Sequence, residues 1–214
     1  MIAHREYWQA KRKRRAPDHK VVKSFVKPKI EFIEKRIGDI SRLKLLDVGC
    51  GNGFFTYYFQ DKLRSVGVDY SEFMLSVNPC QTKVLGSALA LPFKDNTFDI
   101  VFCSNLLHHL DDPLAAVKEM SRLSRMFIIV SEPNRNNPLM FLFCLLKPEE
   151  RSGLRFSFGY LKKIISRAKL TFFYGTTLGS ILPNVTPVAL LPFLQLVNKE
   201  YLFGFYNLII AKRK

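Results

Sequence analysis

The sequence predicts an α/β protein with a mostly parallel sheet, because apolar runs of strand length repeatedly end in glycine or in a short polar turn. The first run, residues 45–48, ends in glycines at alternate positions. The second, residues 66–68, ends at Asp69, and a third, residues 98–103, leads into a polar turn. Alternation of such strands with helices is typical of α/β folds, in which ligands bind at the carboxyl ends of the strands.

The turn after the first strand has the pattern G-x-G-x-G over Gly49, Gly51 and Gly53. Glycine lets the chain turn sharply and lets a ligand approach the backbone closely. Residues 54–63 predict a helix, whose first free N–H groups would face a ligand over the turn. The dinucleotide fingerprint G-x-G-x-x-G is not matched, since Phe54 replaces its third glycine. The turn predicts a nucleotide-sized cradle, with a purely structural strand–helix turn as the alternative.

Asp69 ends the second strand, sixteen residues after Gly53. An acidic residue at about this separation accepts hydrogen bonds from ribose hydroxyls, and its two oxygens can take both hydroxyls of one ribose. The alternative is that Asp69 caps a helix that runs through Phe73 and Leu75, for which Ser71 is another candidate cap. The order of the elements favours the ribose role.

Three further motifs follow in order: GSALALPF at residues 86–93, DNTFDIVFC at residues 95–103 and HHLDDP at residues 108–113. With them, roughly residues 43–133 resemble the class I S-adenosylmethionine-dependent methyltransferases, and among these the group that includes the ubiquinone and menaquinone biosynthesis methyltransferases. The resemblance implies a Rossmann-like, seven-stranded, mostly parallel sheet with helices on both faces and an antiparallel last strand. It also implies S-adenosylmethionine as the cofactor.

The resemblance further implies a cofactor site along the tips of the first four strands. In that family the glycine loop holds the methionine part, the acidic residue after the second strand holds the ribose, and a residue after the third strand contacts the adenine. That last residue is often Asp, but here it is Ser87, which lacks the charge of a carboxylate and is expected to bind more weakly. The implied cofactor residues are Asp47, Gly49, Cys50, Gly51, Asn52, Gly53, Asp69, Tyr70, Ser71, Met74, Ser87, Ala88, Leu89, Ser104, Asn105, Leu106 and His109.

Methyl transfer needs mainly the alignment of acceptor, methyl group and sulfur, with a general base only where the acceptor must lose a proton. His108 and His109 follow the fourth strand and are the candidate bases; alternatively, one packs against the cofactor and the other supports the loop. Glu132, Asn134 and Arg135 follow the fifth strand and are candidate substrate contacts, although a proline-bounded turn explains them equally well.

The chain is expected to divide into a basic, helical N-terminal arm or lid, residues 1–42, and a methyltransferase domain, residues 43–214. Pro17 and Pro28 are expected to break the N-terminal helices. Tyr7 and Trp8 stand where an aromatic ring could close over the cofactor, although a core or surface role is equally compatible with the sequence.

The rest of the domain carries apolar insertions at about 138–150 and 175–200. Residues 139–146 suit a core helix, a wall for an apolar substrate or a segment that dips into a membrane interface. Residues 170–174 and 201–211 are strand-like and match the sixth strand and the antiparallel seventh strand that the resemblance implies.

The net charge of +15 is unevenly distributed. Residues 1–44 contain fourteen basic and five acidic side chains, residues 45–113 four and eight, and residues 114–214 fifteen and five, which gives +9, −4 and +10. The basic side chains therefore flank the predicted cofactor segment. The densest run, residues 11–15, is either a solvated face or flexible arm, or a contact for RNA phosphates or an anionic membrane surface.

The four cysteines are far apart and form no C-x-x-C pair, so no zinc site or disulfide framework is expected, and no metal. They suit a reducing compartment, and no signal peptide is visible. Apolar runs are shorter than the roughly 20 residues that a bilayer span needs. A cytoplasmic location, with a peripheral membrane contact as an option, is the expectation.

Three functions remain open at this stage. The leading one is methylation of a small, apolar or lipid-like molecule, suggested by the aromatic C-terminal third. The second is modification of tRNA, since some tRNA methyltransferases resemble residues 91–109 and the flanks are basic. The third is a non-catalytic protein that binds S-adenosylmethionine. The sequence does not decide the acceptor atom or the oligomeric state.

Overall fold

The computed structural model of the chain describes residues 14–200 and 203–213. Seven strands form one sheet in the order β3-β2-β1-β4-β5-β7-β6. Neighbouring strands from β3 through β5 are parallel, whereas β7 is antiparallel to both β5 and β6. The strands are β1 (Lys44–Val48), β2 (Arg64–Asp69), β3 (Lys83–Leu85), β4 (Phe98–Ser104), β5 (Ser124–Pro133), β6 (Thr171–Leu178) and β7 (Tyr206–Lys212).

Seven α-helices accompany the sheet within the described residues. They are α1 (Lys20–Ile37), α2 (Thr56–Phe59), α3 (Glu72–Ser76), α4 (Pro113–Leu123), α5 (Pro138–Leu146), α6 (Phe158–Arg167) and α7 (Leu191–Val197). Short 3₁₀ segments lie at Leu107–His109, Pro148–Arg155 and Val188–Leu190. None of the helices in this part of the chain has both the length and the apolar content to cross a bilayer.

Helices cover both faces of the sheet, because alternate strand residues point to opposite faces. Leu45 and Ile210 belong to a core shared with α1. Their neighbours Leu46 and Ile209 belong to a second core shared with α4 and α6. The predicted fold class, including the antiparallel last strand, is therefore confirmed.

The predicted break at Pro28 is wrong: α1 continues through this residue. Proline has no N–H for the carbonyl four residues earlier, which is that of Ser24. Here Asn198, which follows α7, donates its Nδ2 to the Ser24 carbonyl at 2.6 Å, and Gln195 donates to the Ser24 hydroxyl at 2.9 Å. A side chain from a distant segment thus supplies the bond that the helix lacks, and it holds α7 against α1.

Two other helices differ from expectation. The helix predicted over residues 54–63 forms only at Thr56–Phe59, with turns on either side. In α5 the interpretation as a core helix holds only for one face, since Met140 and Cys144 are buried while Leu139 and Leu146 are about two-thirds exposed. An apolar run alone does not show which face of a helix meets the core.

We expect Asn198→Ala to lower the free energy of unfolding by about 1–2 kcal/mol, because the Ser24 carbonyl loses its donor. In a Pro28→Ala background the helix supplies its own N–H to Ser24, so the same change should cost about 1 kcal/mol less. Denaturant unfolding of the four proteins measures this coupling. Strictly additive effects would show that Asn198 does not compensate for the proline.

Candidate functional site

A cavity of about 270 Å³ opens at the carboxyl edge of the sheet. One side is formed by the loop after β1 and the tip of β4, and the other by apolar parts of α1, α5 and residues 182–185. The lining residues on the sheet side are Asp47, Gly49, Cys50, Gly51, Asn52, Phe54, Phe55, Met74, Ser104, Asn105 and His109. Those on the other side are Arg14, Phe25, Pro133, Met140, Phe143, Lys147, Glu149, Glu150, Leu182, Pro183, Asn184, Val185 and Tyr206.

The loop after β1 depends on glycine for its shape. Gly49 and Gly53 have φ angles of 71° and 91°, in the left-handed region that favours glycine. A Cβ at Gly49 would lie 2.7 Å from the Leu106 side chain, and one at Gly53 would lie 2.5 Å from Oδ1 of Asn78. Asn78 also donates to the Gly51 carbonyl at 2.9 Å and so supports the loop from behind. No pattern in the sequence indicated this role of Asn78.

Asp69 holds the glycine loop against β2. Its Oδ2 accepts the Gly51 N–H at 2.8 Å, and its Oδ1 accepts the Ser71 N–H at 2.9 Å. Burial raises the pKa of the Asp69 carboxyl, while these backbone donors act in the opposite direction. The cap of α3 is Ser71, whose hydroxyl accepts the Met74 N–H. Asp69 is therefore not the cap of α3, because Ser71 fills that position.

Asp47 is a buried carboxylate at the floor of the cavity, only 2% exposed. Its Oδ2 accepts the Thr56 hydroxyl at 2.6 Å. Burial raises the pKa of Asp47 to about 7, and the charge of Asp69 acts in the same direction. A cation placed in the cavity would favour the ionised form of this carboxyl.

The tip of β4 presents polar atoms to the cavity. Within the described residues, Oγ of Ser104 and Oδ1 of Asn105 are buried and have no hydrogen-bond partner. Asn105 also has a φ of 52°, which is uncommon for a residue other than glycine. Buried polar atoms are usually paired, so these two fit a polar ligand in the cavity.

About half of the predicted cofactor residues line the cavity. The exceptions are Gly53, Asp69, Tyr70, Ser71, Ser87, Ala88, Leu89 and Leu106, none of which is among the described lining residues. Ser87 is exposed just beyond β3, where its hydroxyl accepts the Leu89 N–H at 3.2 Å. The adenine contact assigned to Ser87 therefore stays a prediction.

His108 is fully buried between two carboxylates. Its Nδ1 lies 2.5 Å from Oε2 of Glu132, and its Nε2 lies 3.1 Å from Oε2 of Glu150. Burial lowers the pKa of His108, but the charges and hydrogen bonds of the two glutamates outweigh it and raise the pKa to about 9. A cationic ring with both nitrogens engaged suits a structural support better than a base. His109, whose ring centroid lies 3.8 Å from that of His108, is the histidine that lines the cavity.

Ligand-type atoms of His108, His109 and Glu150 lie within 4.8 Å of one another, a spacing compatible with a metal ion. However, His108 donates from both ring nitrogens in its charged form and has no lone pair to offer. The expectation of no metal stays a prediction.

The three candidate substrate contacts do not line the cavity within the described residues. Glu132 is fully buried, and its Oε1 accepts the N–H groups of Leu106 and Leu107 at 2.9 and 2.7 Å. Asn134 is also buried and donates to the Gly204 carbonyl, whereas Arg135 is exposed. Pro133 is the residue of this segment that reaches the cavity. The turn interpretation therefore describes Asn134 better than substrate contact does.

Arg15, the last residue of the basic run at residues 11–15, is hydrogen-bonded to segments that line the cavity. Nη1 of Arg15 donates to the carbonyls of Pro183 and Thr186 at 2.9 and 2.8 Å. The Arg15 carbonyl accepts Nδ2 of Asn52 at 2.9 Å. At Arg15 the run is thus neither a solvated face nor a flexible arm. Tyr7, Trp8 and residues 11–13 lie outside the described residues.

A second cavity, of about 540 Å³, lies on the outer side of the same loop. It shares only Arg14 and Asn52 with the first cavity and includes neither Asp47 nor His109. Its other walls are residues 15–18 together with Tyr57, Phe73, Val77 and Pro79. The first cavity, which meets the strand tips, is therefore the candidate site.

Comparison with known proteins agrees with this geometry. Residues 46–126 match the family described as a methyltransferase domain. The match runs from within β1 to the start of β5 and includes the glycine loop, Asp69 and the histidine pair. This stretch of the chain is therefore similar to a methyltransferase domain, and the order of the strands agrees with that match.

Relatives and solved structures support the same class. A demethylmenaquinone methyltransferase of Lactococcus lactis is 32% identical over 102 residues, which is 42% of this chain and 40% of that protein. One of Staphylococcus aureus is 37% identical over 102 residues, with 42% of each chain covered. The chain spans about two fifths of the length of these curated relatives. A S-adenosylmethionine-dependent methyltransferase of Thermotoga maritima shares the fold, with a TM-score of 0.69, 20% identity and coverage of 100% and 96% of the two chains.

The residues present fit S-adenosylmethionine. Gly49 and Gly51 line the cavity without side chains, the unpaired atoms of Ser104 and Asn105 offer polar contacts, and Asp47 offers a carboxylate to a cationic group. Asp69 lies behind Gly51, whose N–H it accepts, and it is not among the lining residues of the cavity, so its ribose role stays a prediction.

We expect the affinity for S-adenosylmethionine to increase about tenfold per pH unit up to pH 7 and to level off above it. The free protein carries a protonated Asp47 below its pKa of about 7, and a bound cation requires the ionised form, so binding releases a proton. Calorimetric titration between pH 5.5 and 8.5 measures this dependence. Asp47→Asn gives the baseline, including the titration of the cofactor's own amino group, and an equal slope in both proteins would contradict the assignment.

We expect Asp69→Ala to weaken S-adenosylmethionine binding by about 1.5–3 kcal/mol, because a charged acceptor of hydrogen bonds is lost. Asp112→Ala is the matched control, since Asp112 caps α4 by accepting the Ala115 N–H and lies outside the described cavity lining. Thermal unfolding of both variants separates lost stability from lost binding. Unchanged affinity in Asp69→Ala would remove the ribose assignment.

Proposed function

We propose that this chain transfers the methyl group of S-adenosylmethionine to a small, apolar, lipid-like acceptor. The observation that carries the proposal is one continuous cavity with two unlike sides. The side at the strand tips has Asp47, Ser104 and Asn105, whereas eight of the thirteen lining residues on the opposite side are apolar or aromatic. The charged residues on that opposite side are Arg14, Lys147, Glu149 and Glu150. A cofactor on the first side would meet an acceptor on the second.

The acceptor side is built from elements that lie outside the matched region 46–126. Phe25 comes from α1, Met140 and Phe143 from α5, and Tyr206 from β7. Phe25 and Tyr206 pack edge to face, with ring centroids 5.2 Å apart. These rings suit a ring system or an acyl or isoprenoid chain better than a charged polymer.

Methyl transfer requires little more than correct placement of the acceptor against the methyl group. When bound, S-adenosylmethionine would supply a methyl group on a sulfonium, from which a neutral thioether departs readily as the leaving group. Placement of the acceptor by the apolar wall, with water excluded, can lower the barrier by roughly 7–11 kcal/mol. His109 lines the cavity and is the candidate proton acceptor, which would contribute about 10²–10⁴-fold for an acceptor hydroxyl. His108 positions the loop through Glu132 and Glu150.

The relatives support the transfer and are compatible with the acceptor class. Two of them are named for demethylmenaquinone, and their similarity to this chain is confined to about two fifths of each protein. The acceptor class therefore rests on the cavity walls. The N-terminal segment forms part of those walls through Arg14 and Phe25. We also propose a cytoplasmic location for the protein.

RNA modification and cofactor binding without catalysis are the competing functions. Arg15, from the basic run, bonds to backbone carbonyls of residues 183 and 186 and is partly committed within the fold. An RNA substrate would bind through phosphates, with an affinity that falls steeply as salt rises. Apolar binding would not show that dependence.

Incubation with methyl-labelled S-adenosylmethionine and a cell extract is expected to place the label in the fraction soluble in organic solvent. Label in RNA would favour RNA modification, and no label with intact cofactor binding would favour cofactor binding without catalysis.

Phe143→Ser, on the apolar wall, should raise the KM for the acceptor about tenfold or more, since a partly buried aromatic contact is lost. The KM of this variant for S-adenosylmethionine should stay unchanged. Asp69→Ala should show the reverse, with a raised KM for S-adenosylmethionine and an unchanged KM for the acceptor.

A further inference from the structure

Exposed apolar side chains are concentrated on two short stretches of this protein. Of the eighteen large apolar side chains that are clearly exposed in the described residues, eleven lie in residues 139–146 and 185–197. Leu146 on α5 is 68% exposed, and Phe193 and Leu196 on α7 are 71% and 74% exposed. Single exposed apolar residues are ordinary, but such a concentration marks a surface that meets another apolar phase. We name these two stretches the apolar rim.

The apolar rim borders the candidate acceptor site. Met140 and Phe143 of α5 line the cavity with one face of the helix, while Leu142 and Leu146 are exposed on the other. Val185 both lines the cavity and is 51% exposed, and it leads into the 3₁₀ segment before α7. A molecule that leaves an apolar phase in contact with the rim would therefore reach the cavity without crossing bulk water.

Basic side chains lie beside the apolar rim. Lys20, Lys23 and Lys27 are exposed on α1 around Ser24, the residue to which Gln195 and Asn198 bond at the end of α7. Lys147 and Arg151 are exposed where α5 ends. The acidic residues that follow α5, Glu149 and Glu150, are only partly exposed and line the cavity. The exposed acidic residues nearest to these elements in the sequence are Asp18, Glu31 and Glu200, so the five exposed basic side chains outnumber them.

We propose that the apolar rim docks on the surface of an anionic lipid bilayer. Apolar side chains flanked by lysine and arginine are the pattern of a segment that lies in the interface, with apolar groups among the acyl chains and cations among the headgroups. α5 has nine residues and α7 has seven, so each can lie in the interface but neither can span it. Delivery of an acceptor from the bilayer rests on the proposed function, whereas the docking itself does not.

Vesicle sedimentation of the full chain tests the proposal. We expect binding to vesicles of phosphatidylcholine with about a third phosphatidylglycerol, and much weaker binding to phosphatidylcholine alone. Leu146→Ser with Leu196→Ser should lower the partition coefficient about tenfold or more, because two apolar side chains leave the interface. The matched control is Met126→Ser with Phe173→Ser, which removes two exposed apolar side chains outside the apolar rim and should bind as the unchanged protein does.

The same series of measurements tests the role of the basic side chains and the two alternative partners of the apolar rim, a second copy of this chain and a tRNA. Lys23→Glu with Lys27→Glu should abolish the preference for anionic vesicles and leave thermal unfolding nearly unchanged, because both lysines are exposed. Equal binding by the rim variant and the control, or no vesicle binding, overturns the proposal. So does a dimer in sedimentation velocity that the rim variant converts to monomer, or salt-sensitive binding of a tRNA in place of vesicles. Labelled methyl transfer to an acceptor in detergent is scored separately, so failure of docking and failure of the proposed function are distinguishable.

Discussion

The carboxylate of Glu132 is the point on which the geometry of the site depends. From the end of β5 it accepts the N–H groups of Leu106 and Leu107 and contacts Nδ1 of His108. The segment it holds follows β4 and carries the strained Asn105 on one side and the cavity-lining His109 on the other. A buried carboxylate would be costly without partners, and here the backbone donors and the imidazolium supply them. One side chain thereby holds the segment that carries two residues of the cavity lining, Asn105 and His109.

The sequence predicted the parts of the structure that are encoded locally. The strand, the alternate glycines and the acid sixteen residues beyond them lie within one short stretch, and each has a backbone or hydrogen-bonding reason for its type. Parallel strands, helices on both faces and the antiparallel last strand followed from the family resemblance. The caps of α4 and α6, Asp112 and Ser157, are likewise local signals.

The missed parts depend on contacts between distant segments. Glu132 had the chemistry of a substrate contact, and only the position of the loop after β4 shows that its oxygens are already engaged. Pro28 predicted a helix break, because no local pattern could show that Asn198 would supply a bond to Ser24. Residues 182–185 carried no motif and became a cavity wall through the path of the chain between β6 and α7. Local patterns thus predicted the strand-tip side of the cavity, while its opposite side could be found only from the tertiary structure.

The position of Arg15 has a consequence for how the two sides communicate. Its carbonyl is bonded to Asn52 in the glycine loop, and its guanidinium to the carbonyls of residues 183 and 186 in the opposite wall. A single residue therefore links both sides of the cavity, and displacement of Asn52 by an incoming ligand would be transmitted to the opposite wall. This link favours an ordered kinetic sequence, in which S-adenosylmethionine binds first and the wall at residues 183–186 takes its final position afterwards.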